Sequence, residues 1–312
     1  MTTLGSSGLR VSTIGLGLAA LGRPGYLNLG HREDLGEDRS VEALRARTHM
    51  VLDAAHTGGL RYFDAARSYG CAEDFLASWL ELRRPRDVTV GSKWGYVYTA
   101  GWKVDADPPE VKDLSLDNLR RQTTESRALL GPALDLYQIH SATVQSGLFD
   151  DRDVMEELAR LRADGLRIGL SVSGPGQPEA IERALELGGF DTVQATWNLH
   201  ERSAESALAA AHQAGLGVIV KEALANGRLA ARGADPRLTN AAAAAGTTPD
   251  ALAIAAALAQ PWVDVVLSGA ASVSTLESNL AAREVPVDVS ALDGLREPAE
   301  EYWKRRSSMA WT

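Results

Sequence analysis

The sequence predicts an α/β protein, a (β/α)₈ TIM barrel with an N-terminal hairpin and a C-terminal extra helix. Strand-like and helix-like segments alternate eight times along the 312 residues. Several strand segments are continuous apolar runs, such as 218–220 and 263–267, which is typical of strands buried on both faces. Glycines stand where the helical patterns stop, as at 58–59 and 131. Eight such units in one chain of this length indicate a closed barrel rather than an open sheet.

The elements are predicted in chain order from apolar periodicity and turn residues. A hairpin is expected over residues 5–11. The predicted strands are 13–18, 60–64, 87–93, 134–140, 166–171, 192–196, 216–221 and 263–268. The predicted helices are 41–56, 72–83, 115–130, 151–163, 178–187, 204–214, 249–259 and 273–282, with a tightly packed Ala-rich helix at 241–245 and a final helix at 292–306. No Ser/Gly/Pro linker or charge run divides the chain, so residues 1–312 are expected to form a single domain.

Three long irregular segments interrupt the alternation of predicted strands and helices, at 22–40, 94–113 and 224–240. Long loops on the catalytic rim of a barrel shape its pocket. The second loop is aromatic and contains no predicted helix that would bury its rings. We therefore predict that Trp94, Tyr96 and Trp102 form the substrate wall.

Composition excludes several classes of function. A net charge of −9 argues against nucleic-acid binding, which needs a basic face. The single cysteine excludes an internal disulfide and a cysteine-type zinc site, and no histidine pair has metal-ligand spacing, so no metal is expected. The longest apolar run, 251–259, is about half the ~20 residues of a membrane span. A cytoplasmic protein without membrane or nucleic-acid partners is expected.

Four residues carry the functional argument: Asp64, Tyr69, Lys93 and His140. Each stands at or just past the end of a predicted strand, where barrel enzymes place their active sites. A carboxylate, a phenol, an ammonium and an imidazole at one mouth form a proton-donating site for a carbonyl group. A buried ammonium needs a partner, which Asp64 supplies for Lys93.

The chain resembles the aldo-keto reductase superfamily over nearly its whole length. The resemblance depends on several motifs in register with the predicted strands. They are Thr13-Ile14-Gly15-Leu16-Gly17, Phe63-Asp64 with Tyr69-Gly70 and Glu73, Ser92-Lys93, Leu136-Tyr137-Gln138-Ile139-His140, Ile168-Gly169-Leu170-Ser171, Val193-Gln194, and Leu276 with Asn279-Leu280.

The resemblance implies reduction of aldehydes and ketones with NADPH, or less often NAD, without metal. Tyr69 would protonate the carbonyl oxygen as hydride reaches the carbon. Lys93, paired with Asp64, would lower the pKa of the phenol toward working pH. His140 would hydrogen-bond the carbonyl oxygen and orient the substrate.

The resemblance also implies where the nicotinamide end of the cofactor lies. Ser171 and Gln194 occupy the positions that bind the carboxamide, and Gly17 ends the first strand at the same site. Lys221 occupies the position of an aromatic that stacks on the ring in many members.

The other end of the cofactor is implied by two further segments. Residues 222–229, with Leu224, Gly227 and Arg228, match the loop that wraps the pyrophosphate. Gly269, Ser272 and Asn279 match the segment that holds the adenosine. The resemblance implies NADP as the expected cofactor. Gly269 and Thr275 replace the Lys and Arg that grip a 2′-phosphate in many members, so NAD stays open as the alternative.

The sequence therefore predicts an NAD(P)-dependent reductase or dehydrogenase. A small polar carbonyl or sugar-like substrate, or the corresponding alcohol, is expected from Tyr96, Asn28 and Arg32 on the rim. Two alternatives stay open. One is a non-catalytic regulatory subunit that senses nicotinamide nucleotides, and the other is a barrel lyase or isomerase without nicotinamide.

Overall fold

The computed structural model describes residues 1–233 and 235–312. In this part of the chain the strands are β1 (Thr2–Thr3), β2 (Arg10–Val11), β3 (Ile14–Gly17), β4 (Tyr62–Asp64), β5 (Thr89–Trp94), β6 (Tyr96–Tyr98), β7 (Glu110–Lys112), β8 (Leu134–Ala142), β9 (Arg167–Val172), β10 (Thr192–Thr196), β11 (Gly217–Lys221) and β12 (Val265–Ser268). Eight parallel strands close into a barrel, in the order β3, β4, β5, β8, β9, β10, β11 and β12, with β12 paired to β3. The (β/α)₈ barrel predicted from the sequence is confirmed.

Helices surround the barrel and follow its strands. They are α1 (His31–Leu35), α2 (Val41–Thr57), α3 (Ala72–Arg83), α4 (Leu116–Leu130), α5 (Arg152–Ala163), α6 (Gln177–Leu187), α7 (Glu205–Gln213), α8 (Pro236–Ala244), α9 (Pro249–Leu258), α10 (Val273–Leu280) and α11 (Ala299–Ser307). Several begin at a side chain that accepts a hydrogen bond from a free backbone N–H of the first turn, as Ser40, Ser115, Asp151 and Thr248 do. These caps fix where each helix leaves the barrel rim.

The antiparallel hairpin of β1 and β2 covers the amino ends of the barrel strands. Ser6 donates its backbone N–H to the Gly215 carbonyl oxygen (2.8 Å), just before β11. The Thr89 hydroxyl donates to the Arg10 carbonyl oxygen (2.8 Å) at the start of β5. Leu4 is fully buried against side chains of the barrel interior. The predicted hairpin is thus confirmed, and it closes the end of the barrel opposite the catalytic rim.

Three segments differ in detail from the sequence-based expectation. Residues 94–113 contain an antiparallel hairpin, β6 and β7, in place of an irregular loop. Residues 22–40 contain the short helix α1. The final helix is interrupted, because Pro298 separates a 3₁₀ turn at Ser290–Leu295 from α11.

Among the described residues, no single helix is long and apolar enough to cross a membrane. The bent pair α8 and α9 passes by length and composition only, with 82° between its halves. Residues Ala251 to Ala257 of α9 are buried within the protein.

Candidate active site

Asp64, at the end of β4, is the centre of a buried hydrogen-bond network. Its carboxylate pairs with the Lys93 ammonium from β5. Oδ1 also accepts hydrogen bonds from the Tyr62 hydroxyl (3.0 Å) and from the side-chain amides of Gln138 and Gln194 (3.1 Å each). Asp64 is 2% and Lys93 1% exposed. The charge of each group is therefore compensated by its partner rather than by water.

Tyr69 and His140 lie above this ion pair. The Tyr69 hydroxyl oxygen is 3.5 Å from His140 Nε2, and the rings meet edge to face with centroids 5.4 Å apart. Lys93 Nζ lies 5.1 Å from the centroid of the Tyr69 ring. The structure thus brings together all four residues that the sequence singled out.

The pKa of Tyr69 departs from its usual value in the direction opposite to the one expected. Burial raises the pKa of the phenol, and the negative charge of Asp64 raises it further. The guanidinium of Arg23 lowers this pKa but does not reverse the effect of burial. The prediction of a lowered pKa is therefore wrong, and burial favours the protonated, proton-donating form of Tyr69.

His140 is held neutral. Burial lowers the pKa of its imidazole well below the usual value, and the nearby cations Lys93 and Lys221 lower it further. A neutral imidazole has one N–H donor and one acceptor nitrogen. Ser68 lies within hydrogen-bonding distance of Nδ1 (3.4 Å), while Nε2 faces Tyr69. His140 therefore suits the hydrogen-bonding role expected of it, rather than that of a cation.

A cavity of about 860 Å³ opens at the carboxyl ends of the barrel strands. It extends from Tyr69 and His140 to the first turns of α10. Its volume falls in the range of ligand pockets, roughly 300–1,000 Å³. Eight of the residues expected to bind cofactor or substrate line it: Gly17, Tyr96, Gln194, Lys221, Leu224, Gly227, Gly269 and Asn279.

Three residues expected to bind the cofactor are engaged elsewhere and do not line this cavity. The Ser171 hydroxyl accepts a hydrogen bond from the backbone N–H of Ser141 (2.9 Å), which itself lines the cavity. The Ser272 hydroxyl caps α10 by accepting from the backbone N–H of Thr275 (3.2 Å). The guanidinium of Arg228 pairs with Glu297.

The direction of Arg228 follows from the turn that precedes it. Asn226 (φ 56°) and Gly227 (φ 87°) have left-handed backbone conformations, which reverse the chain before Arg228. The guanidinium then lies 5.6 Å from the ring centroid of Tyr302 on α11. Arg232, a few residues later, is the arginine of this segment that lines the cavity.

Two of the three aromatics expected in the substrate wall are misassigned. Trp94 is the last residue of β5 and is fully buried in the core, because alternation along a strand directs it away from the side that Lys93 occupies. Trp102 packs edge to face on Phe75 and donates its indole N–H to the Arg39 carbonyl oxygen (2.8 Å). Tyr96 does line the cavity, with its ring centroid 5.0 Å from that of His140.

Several charged side chains of the cavity were not predicted as site residues: Arg23, Glu110, Lys112 and Arg306. Arg23 is 3% exposed, and its guanidinium carbon is 5.2 Å from the Tyr69 ring centroid. These residues lie on loops, the β6–β7 hairpin and the C-terminal helix. Such placement depends on tertiary contacts, for which a single sequence offers no periodic signal.

The far end of the cavity fits the polar end of a nucleotide cofactor. Ser274 and Thr275, on α10, present hydroxyl groups there, and the amide of the neighbouring Asn279 is hydrogen-bonded to the Ser268 hydroxyl (2.8 Å). A helix amino terminus favours negative charge, as phosphate carries. A Cβ atom added at Gly269 would meet no heavy atom within 4 Å, so the wall is open at this point. The residues present suit hydroxyl and phosphate groups.

The barrel, the buried Lys–Asp pair and the adjoining Tyr–His pair define the class of protein. A family model described as the Aldo/keto reductase family matches residues 13–298. The chain belongs to the aldo/keto reductase family of oxidoreductases, which generally use NAD(P)H.

Individual relatives are distant in sequence. The chain is 23% identical over 305 residues to the uncharacterized oxidoreductase YqkF of Bacillus subtilis, covering 89% of each protein. It is 27% identical over 316 residues to L-galactose dehydrogenase of Arabidopsis thaliana, covering 90% of this chain and 87% of that protein. The holo form of aldo-keto reductase AKR11C1 from Bacillus halodurans shares the fold, with a TM-score of 0.72 and 22% identity, over 99% of this chain and 96% of the other.

Proposed function

We propose that the protein is an NAD(P)-dependent oxidoreductase that reduces an aldehyde or ketone, or oxidises the corresponding alcohol or sugar, with Tyr69 as general acid or base. The observation that carries this proposal is the 3.5 Å approach of the Tyr69 hydroxyl to His140 Nε2 inside the cavity, above the buried Lys93–Asp64 pair. Two hydrogen-bonding groups at this distance from each other can both hydrogen-bond to one carbonyl oxygen.

The protein's own groups then account for the movement of the proton. The neutral imidazole of His140 donates a hydrogen bond to the carbonyl oxygen and orients it. Tyr69 transfers its proton to that oxygen as negative charge develops there. Lys93 stabilises the resulting phenolate, and Asp64 keeps the ammonium in position. A bound dihydronicotinamide supplies the hydride.

The raised pKa of Tyr69 is consistent with this order of events. A phenol that stays protonated at neutral pH is available as an acid in every encounter with a carbonyl compound. In the opposite direction, the phenolate acts as base toward the alcohol. Oxidation is then expected to improve as the pH rises, because a larger fraction of the phenol is ionised.

The residues that would hold the cofactor follow the lining of the cavity. Gln194 donates its amide N–H to Asp64, which leaves its carbonyl oxygen to accept from a carboxamide. Leu224 and Gly227 flank the middle of the cavity, and Gly269 and Asn279 its far end. We propose NADP as the cofactor, with NAD as the alternative. Fluorescence titration of NADPH and NADH measures the preference directly.

A small polar substrate suits the lining near Tyr69. Asn28 and Arg23 line the cavity, whereas Arg32 is exposed and lies outside it. The name of the relative L-galactose dehydrogenase points to the same class, a hydroxylated compound.

The test compares two conservative removals of a phenolic hydroxyl. Tyr69→Phe is expected to lower kcat by about 10²- to 10⁴-fold. Its affinity for NADPH, measured by fluorescence titration, is expected to equal that of the wild type. Tyr98→Phe is the control, because Tyr98 lies in the neighbouring hairpin but does not line the cavity. A Tyr69→Phe variant with wild-type kcat would refute the role of Tyr69. Cofactor binding without turnover of any carbonyl compound would favour the regulatory alternative.

A further inference from the structure

The β6–β7 hairpin directs two charged side chains toward the catalytic end of the cavity. Its register pairs Tyr96 with Lys112 and Tyr98 with Glu110. Glu110 and Lys112 are two residues apart and therefore share one face of the hairpin. Both line the cavity, whereas Val111 between them is 45% exposed.

Among the described residues, not every charged side chain of the cavity wall belongs to an ion pair. Five carboxylates line it, and four of them pair with an Arg or Lys: Asp34 with Arg232, Asp64 with Lys93, Glu110 with Arg23, and Glu222 with Arg306. The fifth, Asp250, lies in the first turn of α9 beside Asn279, at the far end.

Two cations of the wall remain without a carboxylate within 4.0 Å among the described residues, Lys112 and Lys221. Lys112 Nζ donates to the Ser141 carbonyl oxygen (2.7 Å), and Lys221 Nζ donates to Thr196 Oγ1 (3.0 Å). Both side chains are half-buried. An ammonium in such a place has lost part of its hydration and gains most from an anionic partner.

Lys112 is placed to hold a group attached to the reacting carbonyl. Its ammonium donates a hydrogen bond to the carbonyl oxygen of Ser141, the residue after His140, and its Nζ lies 5.9 Å from the ring centroid of Tyr96. That ring in turn contacts His140, with centroids 5.0 Å apart. Lys221 faces the cavity from the end of β11, three strands around the barrel from β8.

We infer that the substrate is a carbonyl compound that carries an anionic group, a carboxylate or a phosphate, and that Lys112 and Lys221 are the residues that select for it. This inference rests on the proposed function and names its substrate class. The anion accepts hydrogen bonds from the two lysine ammonium groups, while the carbonyl lies against Tyr69 and His140.

The first experiment uses two aldehydes that differ by one charge, 4-carboxybenzaldehyde and methyl 4-formylbenzoate. We expect the wild type to prefer the carboxylate in kcat/KM. Lys112→Met is expected to raise the KM for the carboxylate by about 10-fold, as for the loss of one charge-assisted hydrogen bond, and to leave the KM for the ester unchanged. Lys103→Met is the control, because Lys103 is exposed in the same segment and lies outside the cavity lining.

A second pair separates the two kinds of anion. D-glyceraldehyde 3-phosphate is compared with D-glyceraldehyde in the wild type, Lys112→Met and Lys221→Met. A loss of preference confined to the phosphate pair assigns the site to phosphate, and one confined to the benzaldehyde pair assigns it to carboxylate. Equal use of charged and neutral partners by the wild type, or an equal effect of both lysine variants on them, overturns the inference.

Binding measured without turnover keeps this inference separate from the proposed function. Benzoate and inorganic phosphate are titrated into wild type, Lys112→Met and Lys103→Met by calorimetry. Anion binding that is weakened only in Lys112→Met supports the site even if no aldehyde is reduced. No binding of either anion to the wild type counts against it, even if neutral aldehydes are reduced.

Discussion

The carboxylate of Asp64 accepts hydrogen bonds from side chains on four barrel strands. Tyr62 is on β4, Lys93 on β5, Gln138 on β8 and Gln194 on β10. One side chain therefore ties together nearly half the circumference of the barrel. At the scale of single residues, the proposed catalysis and the stability of the barrel would depend on the same atoms.

Lys93→Met is expected to lower the free energy of unfolding by about 3 kcal/mol or more, because it leaves the charge of Asp64 buried without a cation. The double variant Asp64→Asn with Lys93→Met removes both charges and should be more stable than Lys93→Met alone. Urea unfolding of the three proteins measures the difference. Equal stability of the single and double variants would show that Asp64 is adequately solvated by its neutral donors.

The lowered pKa of Lys221 leads us to expect that the stability of the protein depends on pH. Burial lowers the pKa of its ammonium to about 8, from an ordinary value of 10.5. Between these two values the unfolded chain holds a proton that the folded protein has released, so stability rises with pH by about 1.4 kcal/mol per unit. Below pH 8 both states are protonated and the contribution is constant.

The measurement compares wild type and Lys221→Met by urea unfolding between pH 7 and 10, because other titrating groups cancel in the difference. As the pH rises above 8, the free energy of unfolding of the wild type is expected to increase relative to that of the variant. A difference that stays flat over that range would show that Lys221 keeps its ordinary pKa.

Single-residue placement was predictable where strand ends and alternation decide it. Asp64, Lys93 and His140 end predicted strands, and the structure brings them to one site with Tyr69. The same alternation directs Trp94 away from Lys93, so its burial could have been foreseen. The orientation of Arg228 could not, since it depends on a left-handed turn and on contacts with distant Glu297.

At the scale of elements, close packing between neighbouring strands positions the network. A Cβ atom at Gly91 on β5 would lie 2.6 Å from the hydroxyl oxygen of Tyr62 on β4. The absence of a side chain at this position lets the phenol cross the strand and reach Asp64. This glycine is required by its neighbour and not by its own backbone conformation.

Gly91→Ala is expected to cost about 1–3 kcal/mol of stability as an overpacked site and to lower kcat by displacing Tyr62. Tyr62→Phe removes the hydroxyl oxygen, the nearest atom that the added Cβ would meet. The double variant should therefore cost less than the sum of the single variants, a coupling that a double-mutant cycle measures. Strict additivity would mean that β4 and β5 separate instead of the ring moving.

The elements of the barrel were predictable from apolar periodicity, whereas those of the rim were not. The β6–β7 hairpin has only three residues in each strand, and its strands are partly exposed. Its position depends on Gln122 of α4, whose amide bonds the Gly95 N–H (2.9 Å) and the Tyr96 carbonyl oxygen (2.8 Å). Short strands held by distant side chains leave no repeating pattern in the sequence.

At the scale of the whole molecule, distant parts of the chain meet at the cavity mouth. Tyr26 and Thr312 exchange backbone hydrogen bonds of 3.3 and 3.2 Å. Trp311 lines the cavity, and its ring centroid is 4.5 Å from the guanidinium carbon of Arg23. The C-terminal segment thereby supports the side chain that packs on Tyr69.

Trp311→Ala is expected to raise the KM for carbonyl substrates by about fivefold, because it removes a cation–π contact of Arg23 worth roughly 1 kcal/mol. Trp311→Phe keeps an aromatic face and should retain most of the wild-type KM. Steady-state kinetics and thermal unfolding of both variants separate recognition from folding. If the midpoint of unfolding fell sharply while KM stayed unchanged, Trp311 would serve the fold rather than the site.

The N-terminal hairpin has a kinetic consequence. Because β1 and β2 cover the amino ends of the strands, the proposed nucleotide and carbonyl compound would both enter through the open rim. The nicotinamide, which we propose to lie against the buried Gln194, would be the deeper of the two and would have to arrive first. Compulsory order is therefore expected, with the nucleotide bound before the carbonyl compound and released after the alcohol. Product-inhibition patterns are the readout, and the alcohol should not compete with the nucleotide.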